Sequence, residues 1–392
     1  MEGDFIKIKE SLLPLSWFYG CGVRIRNFCF DVGILKSQAF HVPVIAVGNI
    51  TVGGTGKTPH VEYLVRLLQK KFNLAILSRG YKRKTKGYLL ADNKSTTRDI
   101  GDEPFQMKQK FPDISVAVDK KRVHGIQQLT GDDPSLDVIL LDDAFQHRYV
   151  KPGVNILLVD YHRLIIYDKL LPAGRLREPL NGKNRADIVI ITKCPKNLKP
   201  MEYRVITKAM NLYPYQHLYF TTHEYDDAFG LFNNQRIALD DISSNNILVL
   251  TGIASPRQLV EDLEAMSKKE SSSSTTITPI TFPDHHQFKK KDISRINTAF
   301  DSLPSPKVII TTEKDAARLI NAEGLSDEVR QSLYVLPLHI SFIQKDQEEK
   351  FNESIIGYVL KNSRNSILVK GKDDSKMREA QQPKGSKTIS FK

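Results

Sequence analysis

The chain has 392 residues, of which 40% are hydrophobic and 26% are charged, a composition typical of a soluble globular protein with room for two domains. Its formal net charge of +12 favours anionic partners, namely a nucleotide, a nucleic acid or an anionic membrane surface, although a generally basic proteome would give the same balance. Three cysteines, Cys21, Cys29 and Cys194, without a C-x-x-C pair argue against a disulfide framework or a zinc site.

The N-terminal segment, residues 1–40, predicts a helix that lies at a membrane interface. No charge occurs from Ser11 to Val23, where leucines and aromatic residues crowd together, and Arg24 and Arg26 then alternate with apolar residues. A bilayer span needs about 18–20 apolar residues, so this stretch is too short to cross one. Aromatic residues beside arginines are typical of an interfacial helix, and packing on the protein's own core is the alternative. No small-residue cleavage site follows, so no signal peptide is predicted.

A phosphate-binding loop is predicted between a buried strand at 42–47 and a helix that runs through Lys71. The residues of this loop are Thr51, Val52, Gly53, Gly54, Thr55, Gly56, Lys57 and Thr58. Backbone N–H groups of such a loop surround phosphate oxygens, while Lys57 reaches the β- and γ-phosphates and the Thr58 hydroxyl binds Mg²⁺. Thr51 stands where the strict pattern has glycine, and a glycine-rich turn without a ligand is the alternative.

Acidic residues mark two further places downstream. Gly101–Pro104 predicts a helix start, at which Asp102 acts as a cap residue. An apolar strand at 137–141 ends in Asp142 and Asp143, where a metal-binding carboxylate of a nucleotide site is expected, although a plain turn is the alternative.

Later segments complete an α/β pattern. A strand at 186–191 leads into Thr192–Pro195, which begins like a guanine-reading element but has proline in place of its aspartate, so a guanine-specific GTPase is disfavoured. The turn at 170–179 suits an anionic or hydroxylated ligand, or is simply solvated. Strands alternate with helices throughout, which predicts a P-loop NTPase-like core with a mostly parallel sheet.

Four regions are expected along the chain. They are the N-terminal interfacial segment at 1–40, the P-loop core domain at 41–225, a smaller C-terminal α/β subdomain at 226–360 and a disordered basic tail at 361–392. A serine-rich loop at 271–276 reads as an insertion in the third of these.

Taken in order, the motifs resemble one family, the tetraacyldisaccharide 4′-kinases, which phosphorylate the lipid A precursor. The matching segments are 47–59, 78–81, 101–104, 142–148, 176–179, 284–285 and 312–316. Thr51 in place of glycine is itself a feature of the family. The resemblance implies ATP and Mg²⁺, a lipid A disaccharide 1-phosphate as acceptor, and a peripheral or monotopic position on the cytoplasmic face of the bacterial inner membrane. It implies neither a nucleic acid nor an obligate protein partner.

The resemblance also implies roles for individual residues. Lys57 and Thr58 hold phosphate and Mg²⁺, Asp142 and Asp143 supply the acidic metal site, and Asp102 is the catalytic aspartate supported by His285. Residues that match positions lining the cleft are Tyr81, Arg122, His147, Arg177 and Glu178. Arg122 and Arg177 suit anionic groups. His286 is the competing histidine, and the Asp-His motif favours His285. A water-linked group in place of Asp102 remains an alternative acceptor of the proton.

Two hypotheses of other kinds fit the phosphate loop alone. One is a P-loop switch protein that binds a partner, and the other is a kinase for a soluble sugar or nucleoside, for which the apolar N-terminus has no use. The order and number of the motifs favour the lipid A kinase.

Overall fold

A computed structural model describes residues 8–363 apart from 234, 254–255, 271–274 and 285, and describes the main chain alone at 268–270. The predicted histidine His285, most of the serine-rich loop and the basic tail from 364 onward lie outside the described residues. Within these ranges the chain forms two mostly parallel sheets covered by helices, so the predicted α/β class is confirmed.

The larger sheet contains nine strands within the described ranges, numbered here along the chain. They are β1 (Val44–Gly48), β2 (Leu74–Ser78), β3 (Leu89–Leu90), β4 (Ser115–Val118), β5 (Val138–Asp142), β6 (Val154–Asp160), β7 (Ile188–Thr192), β8 (His217–Tyr225) and β15 (Leu338–Phe342). Their order is β15-β8-β7-β6-β1-β5-β2-β4-β3, and only the edge strands β3 and β15 pair antiparallel. Because β1 lies between β5 and β6, the loops that follow β1 and β5 leave the sheet side by side.

The smaller sheet contains six strands within the described ranges. They are β9 (Ala228–Gly230), β10 (Arg236–Ile237), β11 (Asn246–Thr251), β12 (Ile277–Thr281), β13 (Lys307–Thr312) and β14 (Leu333–Leu336), in the order β10-β9-β14-β13-β11-β12. The parallel strands β11, β13 and β14 carry apolar runs, and helices cover both faces of this sheet.

The α-helices connect these strands and are likewise numbered in chain order. They are α1 (Leu13–Asp31), α2 (Lys57–Leu68), α3 (Thr97–Ile100), α4 (Asp102–Lys110), α5 (Arg122–Asp132), α6 (Pro200–Met210), α7 (Leu239–Ser243), α8 (Pro256–Glu270), α9 (Lys290–Asp301), α10 (Glu313–Leu319), α11 (Asp327–Ser332) and α12 (Lys345–Asn362). Alternate residues of β1 face opposite layers, since Ile45 and Val47 pack with α2 while Val44 and Ala46 pack with α5.

The expected boundaries of the second domain differ from the structure at its C-terminal end. After the smaller sheet, β15 pairs with β8 and joins the larger sheet as its edge strand. The side chains of Phe351, Ile355 and Val359 on α12 are then buried in the same core as α2. The segment 338–362 therefore belongs to the first unit, because its apolar face has its partner there, and the second unit runs from about β9 to β14.

Helix α1 lies at the surface and is held by a few polar contacts. Ser16 donates to the Leu170 carbonyl oxygen at 3.0 Å, and the Tyr19 hydroxyl donates to the Arg177 carbonyl oxygen at 2.8 Å. The large apolar side chains that remain exposed on α1 and just after it are Leu13, Leu15, Trp17, Phe18, Tyr19, Ile25, Phe28, Val32 and Ile34. Among the described helices, none has the length and apolar character needed to cross a bilayer.

Candidate active site

The phosphate loop connects β1 to α2 with two residues in unusual backbone conformations. Gly53 and Gly56 have φ angles of +119° and +78°, a region that residues with side chains rarely adopt, so glycine is required at both positions. Gly56 directly precedes α2, which begins at Lys57. The loop therefore combines a tight glycine turn with a helix N-terminus, the two features that bind phosphate.

The loop's first residues explain why threonine replaces glycine at position 51. Thr51 is buried and forms an antiparallel bridge with Leu176, and the Val52 N–H donates to the Arg175 carbonyl oxygen at 2.8 Å. The Arg177 N–H in turn donates to the Ile50 carbonyl oxygen at 2.7 Å. An extended, strand-like position suits a β-branched residue, so Thr51 anchors the loop to the turn at 175–177.

Buried side chains hold the rest of the loop in place. The Asn49 amide donates to Thr55 Oγ1 at 2.8 Å, and the Lys193 ammonium group donates to the Gly54 carbonyl oxygen. His60 Nδ1 lies 2.7 Å from the Gly56 carbonyl oxygen, and burial lowers the pKa of this histidine to about 4. The ring is therefore neutral at pH 7 and donates through Nδ1. These contacts fix the loop before any nucleotide arrives.

Two carboxylates at the end of β5 face the start of α2. The Lys57 ammonium group lies 3.6 Å from Asp143 Oδ1, and Arg177 Nη1 lies 3.9 Å from Asp143 Oδ2. Asp143 has a φ of +47°, which turns the chain sharply after the strand. Lys57 and Asp143 are thus close together, and both line the same cleft as Thr58.

Asp142 is the more buried carboxylate, with 4% of its surface exposed. Its Oδ2 accepts from the Ser78 hydroxyl at 3.2 Å, whereas its buried Oδ1 has no hydrogen-bond partner in the part of the chain that the structure describes. Burial, followed by the nearby charges of Glu103 and Asp143, raises the pKa of Asp142 to about 7. An unpaired buried oxygen beside a second carboxylate is a donor set that suits Mg²⁺.

Asp102, the first residue of α4, is buried against the second unit. Its Oδ2 accepts from Arg318 Nε at 3.0 Å and from Arg318 Nη2 at 2.7 Å. His285, its expected partner, lies outside the described residues. The competing His286 is engaged within the second unit, since its Nε2 lies 2.9 Å from Asp292 Oδ2 and its ring stacks on Phe282.

The structure divides the five residues expected to line the cleft into three groups. Tyr81 and Arg177 do line it. Arg122 and Glu178 are only 1% and 2% exposed, so they lie in the interior rather than on the cleft wall. His147 is partly buried, and burial followed by the Arg122 charge lowers its pKa to about 4.

The two buried residues, Arg122 and Glu178, bind groups next to the site from the protein interior. The Arg122 guanidinium donates to the carbonyl oxygens of Asp119 and Asp142 at 3.0 and 3.2 Å, which fixes the main chain at the acidic pair. Glu178 forms an ion pair with Arg185 at 2.7 Å, next to the turn that holds Thr51. A sequence pattern shows charged residues at these places but not their burial, and in this structure neither side chain lines the cleft as expected.

The cleft has a volume of about 540 Å³, within the usual range of ligand sites, and lies between the two units. The phosphate loop, Asp143 and Arg177 line one part. Another part was not predicted; it is lined by Lys193, His223, Tyr225, Ile253, Gln258, Leu259, Leu336 and Leu338. Of these residues, Lys193 alone belongs to a segment that the sequence analysis singled out, Thr192–Pro195 after β7. The others come from both units and share no motif.

A glycine-rich loop on a parallel sheet, a lysine at the helix start and two carboxylates on the neighbouring strand are together typical of P-loop nucleotide-binding enzymes. The sequence pattern of the tetraacyldisaccharide-1-P 4′-kinase family matches residues 8–358. Relatives named tetraacyldisaccharide 4′-kinase include one from Phocaeicola vulgatus, 56% identical over 93% of this chain and 99% of its own. Another, from Bacteroides thetaiotaomicron, is 51% identical over 93% of this chain and 97% of its own.

A solved structure of a member of this family has a similar fold. LpxK from Aquifex aeolicus, in complex with ATP, matches with a TM-score of 0.68 and 29% identity, covering 89% of this chain and 98% of that chain. The chain therefore belongs to the tetraacyldisaccharide 4′-kinase family. The family prediction from the sequence motifs is confirmed, and the switch-protein and soluble-acceptor hypotheses are set aside.

Proposed function

We propose that the protein transfers the γ-phosphoryl group of ATP to the 4′-hydroxyl of a tetraacyldisaccharide 1-phosphate, the lipid A precursor. The observation that carries this is the convergence of Lys57, Asp142 and Asp143 beside a pre-formed phosphate loop, in a chain 56% identical to a tetraacyldisaccharide 4′-kinase. Phosphoryl transfer needs positioning and charge stabilisation more than covalent chemistry, and this arrangement supplies both.

In this proposal the phosphate loop and Lys57 bind the β- and γ-phosphates. Before ATP binds, Lys57 is paired with Asp143 at 3.6 Å, so the lysine is already held at the loop. Mg²⁺ would be held by Thr58, Asp142 and Asp143, and would supply neutralisation of phosphate charge. The unpaired Oδ1 of Asp142 is the observation that supports this metal site.

Asp102 would accept the proton of the 4′-hydroxyl, with His285 as its supporting group. Its carboxylate begins α4 beside the cleft residue Glu103, at the border between the two units. A carboxylate fixed by hydrogen bonds can orient the hydroxyl and take its proton late in the transfer. Tyr81 and Arg177 would contact the acceptor, while Arg122 and Glu178 would hold the acidic turn and the 175–177 turn.

The phosphate-transfer assay tests this proposal directly. ATP labelled at the γ-phosphate is incubated with a tetraacyldisaccharide 1-phosphate in mixed micelles, and label in the lipid is measured for wild type, Lys57→Ala and Asp102→Ala. We expect label that depends on the lipid's 4′-hydroxyl, with losses of at least about 100-fold in both variants. A 4′-deoxy acceptor is the control. ATP hydrolysis that ignores the lipid, without labelled lipid, would refute the proposed activity.

The exposed apolar face of α1 supports a position on the anionic inner-membrane surface, cytoplasmic side, as a peripheral or monotopic protein. Trp17, Phe18 and Phe28 are 62%, 67% and 60% exposed, and Tyr19 ties the same helix to Arg177 in the cleft. A helix with this face buries its aromatic residues at the headgroup boundary. An acceptor that stays in the membrane would then meet the cleft without leaving the lipid.

Co-sedimentation with vesicles that contain phosphatidylglycerol tests the membrane position. The triple variant Trp17→Ser, Phe18→Ser, Phe28→Ser should bind at least about tenfold more weakly, because each aromatic side chain contributes on the order of 1 kcal/mol or more. Met201→Ser, at an exposed apolar residue of α6, is the matched control and should bind like wild type. Equal binding of the triple variant and wild type would argue against docking through α1.

A further inference from the structure

A buried arginine of the second unit binds the carboxylate of Asp102 in the first. Arg318 lies on α10, 216 residues further along the chain, and places both Nε and Nη2 within 3.0 Å of Asp102 Oδ2. The side chain of Arg318 is 1% exposed, and that of Asp102 is 10% exposed. Two charge-assisted hydrogen bonds to one oxygen hold that oxygen of the carboxylate in place.

The second unit holds Arg318 rigidly from its other side. Arg318 Nη1 donates to Asp315 Oδ1 at 3.0 Å and to the Gly252 carbonyl oxygen at 3.3 Å. Asp315 is itself fully buried, and its Oδ2 accepts from the Gly252 N–H at 2.9 Å and from the Thr312 hydroxyl at 2.8 Å. Hydrogen bonds therefore connect Gly252, at the end of β11, through Asp315 and Arg318 to Asp102, at the start of α4.

Burial separates this arginine from the phosphate-binding cations of the site. A guanidinium that meets a phosphate must be reachable from the cleft, as Arg177 is with 31% of its side chain exposed. Each nitrogen of Arg318 instead has a protein acceptor within 3.3 Å, so the side chain is already committed. Its position suits orientation of Asp102 and not direct contact with ATP or acceptor.

We propose that Arg318 is a positioning residue that aims the Asp102 carboxylate at the acceptor hydroxyl, with Asp315 holding Arg318 in place. This rests on the proposed function, in which Asp102 takes the proton. It also gives a role to the segment 312–316, since Thr312 and Asp315 orient the arginine. Because Arg318 belongs to the second unit, Asp102 is correctly aimed only when the two units are in contact.

Steady-state kinetics of the full chain in mixed micelles test the proposal. Arg318→Gln should lower kcat about 30- to 100-fold, since misplacement of a reacting group by about 1 Å has effects of this size, while KM for ATP changes less than about threefold. Arg318→Lys keeps one charged donor and should recover about tenfold of the loss. Asp315→Asn should also lower kcat, because Arg318 then loses the carboxylate that holds it in place.

A double-mutant cycle separates positioning from a general effect on the fold. In an Asp102→Asn background, Arg318→Gln should lower kcat no further, because the group that it positions is already gone. Lys110→Gln removes an ion pair between α4 and Glu313 on α10, together with one to Glu62 on α2, without touching Asp102, and should keep kcat within about threefold. Melting temperatures of all variants identify any loss caused by unfolding.

The outcomes distinguish this proposal from the proposed function. If Asp102→Asn is inactive while Arg318→Gln turns over like wild type, the positioning role is wrong and the proposed function stands. A full additional loss in the double variant would likewise overturn positioning through Asp102. If Asp102→Asn retains wild-type kcat, the role of Asp102 fails and the positioning proposal fails with it.

Discussion

Substitution of Gly48 tests whether the phosphate loop and the acidic pair are held by one close backbone contact. Gly48 is the last residue of β1, and a Cβ added there would lie 2.7 Å from the Phe145 nitrogen, 2.8 Å from Phe145 Cβ and 3.3 Å from the Ala144 nitrogen. The first and third of these neighbours are main-chain atoms, and the Ala144 N–H already donates to the Val47 carbonyl oxygen at 3.1 Å. The neighbours cannot simply rotate away.

The expected size of the effect follows from these distances. Ordinary contact begins at 3.4 Å, so the main chain must move by about 0.7 Å, the difference between 3.4 and 2.7 Å. Overpacking of this kind typically destabilises by about 1–3 kcal/mol. The moving residues directly follow Asp143, and displacement of catalytic groups by close to 1 Å lowers rates on the order of 10- to 100-fold. Gly48→Ala should therefore lower both stability and kcat.

Urea denaturation and the phosphate-transfer assay measure the two effects separately. Gly131→Ala is the matched control, because Gly131 lies in α5 and, apart from its chain neighbours and the backbone of its own helix, no described atom lies within 4 Å of the added Cβ. Alanine is the better helix former, so this control should gain up to about 1 kcal/mol and keep its activity. A Gly48→Ala protein with wild-type stability and a kcat within twofold would refute the close-contact argument. Lower stability with unchanged kcat would refute the coupling to Asp143.

Two further predictions concern the side chains behind the phosphate loop. Burial lowers the pKa of His60 to about 4 from 6.5, so its contribution to stability is complete above pH 6.5 and is lost as the pH falls toward 4. His60→Asn should flatten this pH dependence of the unfolding free energy by up to about 3 kcal/mol, measured by urea denaturation at several pH values; an unchanged slope would contradict the assignment. Lys193→Met removes the donor to the Gly54 carbonyl oxygen and should raise KM for ATP about tenfold, with KM for the acceptor unchanged. Equal changes in both KM values would indicate general damage instead.

The parts of the site that the sequence predicted are local in the chain. The phosphate loop needs a strand, two glycines with positive φ and a helix start within about fifteen residues, and each of these has its own pattern. Asp142 and Asp143 were predictable for a similar reason, since an apolar strand ends directly before them. In both cases neighbouring residues determine the geometry, so reading along the chain is enough.

The parts that the sequence did not predict depend on contacts between distant segments. Arg318 and Asp102 are 216 residues apart, and no periodicity relates them. The family resemblance placed Arg122 on the cleft wall as a cation able to meet anionic groups, whereas tertiary packing turns it toward two main-chain carbonyls. The return of β15 to the larger sheet is likewise decided by pairing with β8, which a pattern within 338–342 does not encode.

That return of the chain determines how the second unit can move. The second unit is entered after β8 and left before β15, and these strands pair with Tyr225 opposite Leu338. Both crossings therefore lie side by side, and the Asp226 N–H bonds to the Pro337 carbonyl oxygen at 3.2 Å. The cleft reaches from this connection, at Tyr225 and Leu338, to the ion pair of Glu103 with Lys314.

A connection of two adjacent strands favours rotation about the connection over other motions of the second unit. Such a rotation changes the distance between α4 and α10 most, because these helices lie across the cleft from the connection. The ion pairs of Asp102 with Arg318 and of Glu103 with Lys314 each join the two units, so opening of the cleft would separate their partners. The same movement that encloses the nucleotide would therefore orient the carboxylate, so an open enzyme would bind ATP at the loop without a correctly aimed Asp102.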